Sequence, residues 1–138
     1  MGTEWIRTEM QTLELGDPRR AQRVMRMLEQ FSANPEASIP KACGTQADTK
    51  AAYRALGSEE ISAEQIRLAH ARATVERTRE LDRLLVVQDT MALSFSTCPA
   101  TEGLGPLGKE GTLGLFVHTG LAVTPDGLPM GIVHQEVW

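Results

Sequence analysis

The hydrophobic period of this 138-residue chain changes once, near residue 82, and that change limits the folds open to it. Before it, apolar residues recur at the three-and-four spacing of amphipathic helices. After it, they run together or alternate at period two, as strands do. A helical stretch feeding a short antiparallel sheet is an α+β arrangement. The expected organisation is an all-helical part over residues 1–81 and a strand-bearing part over residues 82–138. Hydrophobic residues make up 41% and charged residues 23%, which excludes wholesale disorder and fibrous repeats.

Local signals divide the first part into helices. Asp17-Pro18 pairs an N-cap with a proline at the first helical position, and Asn34-Pro35 ends the run. At 100° per residue, Ala21, Val24, Met25, Leu28 and Phe31 fall on one face of this helix. Arg19, Arg23 and Arg26 fall nearly opposite, with Arg20 to one side. A short helical turn is expected from Ser38 to Gly44. Thr45 with Asp48, and Ser62 with Gln65, are capping-box patterns. They open helices expected to reach Leu56, stopped by Gly57, and about Leu81.

Strand signals follow. LLVVQDT, residues 84–90, is an apolar run of the kind found in a buried strand, and MALSF extends it with alternation. Residues 96–111 read as a glycine- and proline-rich loop. Two further strands are expected from Thr112 to Thr124 and from Leu128 to Val137. Pro125-Asp126-Gly127 joins them as a type I turn followed by a left-handed glycine. If Thr124 pairs with Leu128, an unbroken register sets His118 directly opposite His134.

The charge is uneven. The chain holds 14 Lys+Arg and 18 Asp+Glu, with twelve of each before residue 81 but only two and six after it. A net charge of −4 therefore belongs to the strand-rich end and does not exclude a nucleic-acid partner. No apolar stretch is long enough to span a bilayer, and MGTEWIRTEMQ has no signal-peptide core. Cys43 and Cys98 have neither metal nor redox spacing, so a cytoplasmic chain with inert thiols is expected.

Several residues are candidates for chemistry. Arginines at one-turn spacing can reach phosphates or base edges, although a solvated helix face is the commoner fate of such a stripe. Tyr53-Arg54 is a second possible contact pair, against a core tyrosine with its hydroxyl at the surface. Asp89 sits at the end of the most apolar strand, where a carboxylate needs a partner or a metal. Holding Mg²⁺ for phosphoryl transfer competes there with a plain turn cap through Thr90. GLGPLGK, residues 103–109, imitates a phosphate loop, but Glu110 replaces the required Ser or Thr and no helix follows. The two histidines lack further ligands for zinc and read as a structural polar pair.

Taken in order, LGDPRRAQR (15–23), KAAYRAL (50–56), ISAEQI (61–66), LLVVQDTMALSF (84–95), EGLGPLG (102–108), GLFVHTGLAV (114–123) and GIVHQEVW (131–138) resemble a known family. The chain is similar to the N-terminal part of bacterial cut-and-paste transposases of the transposon-five and insertion-sequence-four type. Their catalytic domain carries an Asp-Asp-Glu triad on an RNase H-like fold. The resemblance implies a helical domain that grips the terminal inverted repeats of a mobile element, with Arg19, Arg20, Arg23 and Arg54 on the DNA side. It implies that Asp89 is the first catalytic, metal-binding aspartate and that residues 82–138 supply the first three strands of the RNase H-like sheet. Mg²⁺ is the implied cofactor.

The other two carboxylates of the triad would lie beyond Trp138. A truncated chain that binds DNA without cleaving it is therefore expected, since one carboxylate does not make a two-metal site. Double-stranded DNA is the expected partner, with a full-length transposase or a second copy as further possibilities. The rival reading is a non-catalytic interaction protein that docks on, or inhibits, a full-length transposase. A decayed reading frame with an unpaired sheet edge is a third.

Overall fold

A computed structural model describes residues 4–108 and 110–138. Its elements, helices first and then an antiparallel sheet, are α+β at the coarse level. Tertiary contacts divide the chain after Ala73 into two compact units. Among the described residues no helix is long and apolar enough to cross a membrane.

The first unit contains α1 (Glu4–Glu9), α2 (Pro18–Ala33), α3 (Ile39–Cys43), α4 (Gln46–Leu56) and the opening turns of α5 (Ala63–Thr78). The capping signals act as their chemistry requires. Asp17 is extended, and its carboxylate accepts from the Arg19 amide at 2.9 Å. The Thr45 hydroxyl accepts from the Asp48 amide at 3.1 Å, and the Ser62 hydroxyl from the Gln65 amide at 3.2 Å. Gly44 closes α3 at φ 73°, a conformation that a side chain would strain.

The apolar face of α2 supplies both halves of the core. Val24 packs with Ile6, Met10, Leu13, Leu15 and Ala69. Met27 packs with Cys43, Ala52 and Ala55, and Ile61 touches both groups. Val24 is 0% exposed, a burial that contributes about 1.5–3 kcal/mol. α1 escaped the sequence reading because it is only 6 residues long, too short to display a period.

The second unit holds the last turns of α5 and a sheet of β1 (Leu85–Ser94), β2 (Gly105–Pro106), β3 (Leu113–Val123) and β4 (Pro129–Val137). β3 is central, with β1 antiparallel on one side and β4 and the short β2 on the other. The expected turn forms: the Gly127 amide bonds to Thr124 O and the Thr124 amide to Leu128 O, both at 2.9 Å. Gly127 sits at φ 95°.

Two expectations fail here. The first concerns register. Thr124 does meet Leu128, but β4 carries two irregularities that leave Met130 and Val133 without partners. By the middle of the strand His118 faces Glu136 and His134 faces Gly120. The two imidazoles are diagonal neighbours, with ring centroids 6.5 Å apart.

The second failure concerns burial. All ten residues of β1 are exposed, including Leu85, Val86, Val87, Met91 and Leu93. Among the described residues β1 pairs with β3 alone, so it is an edge strand and not a buried one. Asp89 accordingly lies in mid-strand, not at a buried end.

Candidate nucleic-acid interface

α4 divides its surface cleanly. Ala52 and Ala55, each 2% exposed, turn toward α2 and α3, and their small side chains allow the backbones to approach closely. At 100° per residue, Gln46, Lys50, Tyr53 and Arg54 form a band on the opposite side, and all four are exposed. The band holds donors, an aromatic ring and two cations, and no acid. Among the described residues Lys50 and Arg54 make no ion pair, so both charges remain available. A short helix, a glycine turn and a second helix with a basic outer band thus follow one another along the chain.

Sequence reasoning singled out Tyr53 and Arg54 but passed over Gln46 and Lys50. The signal was present in their four-residue spacing opposite Ala52 and Ala55. The arginine stripe of α2 is the more conspicuous signal, because four arginines fall between positions 19 and 26.

That stripe is not uniformly available. Arg20 forms an ion pair with Glu60 and donates to Leu15 O at 3.0 Å. Arg26 approaches both carboxylate oxygens of Asp48 at 3.1 Å. Arg19 lies 3.7 Å from Asp17, with its side chain 90% exposed. Arg23 is exposed and makes no ion pair among the described residues. Thr45 and Arg26 together hold the Asp48 carboxyl below its usual pKa.

The strand-bearing unit presents different chemistry. The Asp89 carboxylate accepts from the Thr90 amide at 2.9 Å, the arrangement of a local backbone cap. Register sets Asp89, Thr119 and Gln135 in one row across the sheet, and Gln135 donates to Thr119 Oγ1 at 3.2 Å. The neighbouring row runs Thr90, His118, Glu136, with Thr90 Oγ1 2.7 Å from His118 Nδ1. Among the described residues no three His, Cys, Asp or Glu side chains converge as a metal site would require. Asp89 by itself does not fit a two-metal centre. In the glycine loop, Lys109 lies outside the described residues, and Gly108 leads into no helix.

Residues 2–61 match a family model described as transposase DNA-binding. The match takes in α1 to α4 and ends before α5, so it covers the basic band and the α2 arginines. It supports DNA as the partner of this segment and a transposase-like character for the N-terminal part. The N-terminal segment of this chain is thus similar to the DNA-binding part of transposases.

Proposed function

We propose that the helical unit binds duplex DNA at the terminal inverted repeats of a mobile element, with the outer band of α4 in the major groove. The observation that carries the reading is the exposed, acid-free band of Gln46, Lys50, Tyr53 and Arg54. It lies on a segment that matches a transposase DNA-binding model. Lys50 and Arg54 reach phosphates or guanine edges, and Gln46 has the donor–acceptor pair that adenine recognises. Arg19 and Arg23 add phosphate contacts from α2. Arg20 instead ties α2 to the segment before α5.

The strand-bearing unit is, in this reading, the opening of an RNase H-like sheet. Asp89 would be its first Mg²⁺ ligand once further carboxylates are supplied. A second reading, docking on a full-length transposase, draws on the exposed apolar side chains along β1. Selection from a randomised duplex library separates the two. Convergence on one sequence supports inverted-repeat binding. Failure to retain any duplex, together with co-purification of a transposase, supports docking.

A further inference from the structure

The turn between α3 and α4 is held from outside by two side chains of α2, one on each arm. Gln30 Nε2 donates to Cys43 O at 3.2 Å, in the last turn of α3. One turn earlier on α2, Arg26 reaches the Asp48 carboxylate at 3.1 Å, in the first turn of α4. Between these anchors lie the turn residues Gly44 and Thr45 and the first two residues of α4, Gln46 and Ala47. Gly44 has open space where a side chain would stand and a left-handed backbone, and its amide donates to Pro40 O at 3.2 Å within α3, so it does not itself tie the turn to α2. Thr45 closes the unit: its hydroxyl donates to Asp48 Oδ2 at 2.9 Å while accepting from the Asp48 amide.

We infer that Arg26, Gln30 and Asp48 form a polar staple that sets the pose of α4 for DNA, with Asp48 a positioning residue that does not touch DNA. This rests on the nucleic-acid reading proposed above. Three features of the geometry support it. Arg26 and Gln30 stand four residues apart, on one side of α2, and so straddle the turn. Asp48 lies on the α2 side of α4, away from the band of Gln46, Lys50, Tyr53 and Arg54. A cation facing a phosphate gains from staying unpaired, whereas Arg26 is already engaged by a carboxylate whose proton affinity is lowered in part by that contact. The α2 arginines therefore divide into Arg19 and Arg23 for phosphates, and Arg20 and Arg26 for internal ties.

The staple and a phosphate-binding Arg26 predict opposite signs for one substitution. Asp48→Asn removes a negative charge and releases Arg26. If Arg26 binds phosphate, the variant binds DNA as well as or better than the unsubstituted chain. If the staple positions α4, affinity for the duplex recovered by selection falls about tenfold, because a pose fixed beforehand must now be fixed on binding. The salt slope is unchanged, because the same cations still face the same phosphates.

Gln30→Ala, which leaves the Thr45 cap intact, serves as the milder variant should Asp48→Asn lose helicity by circular dichroism. It is expected to weaken binding in the same direction. Both variants should speed amide exchange across residues 43–49 without DNA present. Unchanged or tighter binding by the variants, or a salt slope reduced by about one in Arg26→Ala, overturns the staple. Failure of the unsubstituted chain to bind any duplex overturns the nucleic-acid reading itself and is recognised separately.

Discussion

Gly131→Ala is the substitution whose cost the structure defines most closely. A Cβ built there stands 2.2 Å from Thr74 Oγ1 and 3.1 Å from Thr74 Cβ and Cγ2. Thr74 is 0% exposed and cannot swing into solvent. Gly131 also adopts φ 140°, where an L side chain is strained wherever the neighbours lie. The backbone strain costs about 1–3 kcal/mol. Overpacking adds about 1–3 kcal/mol. Against these, alanine restricts the unfolded chain and returns about 0.4–1 kcal/mol.

The net expectation is a loss of about 1–5.5 kcal/mol from the strand-bearing unit, set by the difference of these terms. Urea unfolding followed by far-ultraviolet circular dichroism measures it. Thr74→Ala in the same chain should recover the packing part but not the backbone part, giving a coupling of about 1–3 kcal/mol in a double-mutant cycle. Zero coupling, or a Gly131→Ala chain as stable as the parent, would refute the argument that α5 and the bulged strand pack together at this point.

Further outcomes follow from the same geometry. Glu9 has a side chain only 8% exposed and holds His70 Nδ1 at 2.6 Å, so His70→Ala should destabilise the helical unit by about 1–3 kcal/mol in thermal unfolding. Asp48 and Asp126 have carboxyls held below the ordinary value of 3.8, chiefly by Thr45 and Thr124 respectively. A depressed folded pKa means that their stabilisation is present above 3.8 and disappears as pH falls through the folded value. Acid titration of Asp48→Asn should therefore show a shallower loss of helix than the parent, and an identical curve would count against it. Incubation with Mg²⁺ and the selected duplex should leave the DNA unnicked, whereas nicking abolished by Asp89→Ala would show a complete centre.

Punctuation was the legible part of the sequence. Asp17, Thr45 and Ser62 open helices because their oxygens satisfy amides a few residues away. Pro125-Asp126-Gly127 turns the chain through hydrogen bonds confined to residues 124–128. What escaped depends on residues distant along the chain. The register of His118 and His134 departs from the simple pairing at Met130 and Val133, and at the first of these Thr74 comes close to Gly131 while Arg77 Nε donates to Met130 O at 2.9 Å.

The exposure of LVVQDT, residues 85–90, was hidden because apolar composition states what favours burial and not what is there to cover it. In the candidate interface, the helical spacing that groups Arg26 with Arg19 and Arg23, and the resemblance that adds Arg20, carry no information about ion-pair partners. The partners of Arg20 and Arg26, Glu60 and Asp48, lie 40 and 22 residues away.

In the proposed function α4 meets DNA through its outer band. Fluorescence anisotropy with a short mixed-sequence duplex, repeated across a salt series, tests it most directly. Binding should weaken steeply with salt, and Lys50→Ala/Arg54→Ala should lower the affinity and reduce the slope by about one for each of the two cations that faces a phosphate. A double variant with the affinity and slope of the unsubstituted chain would contradict it.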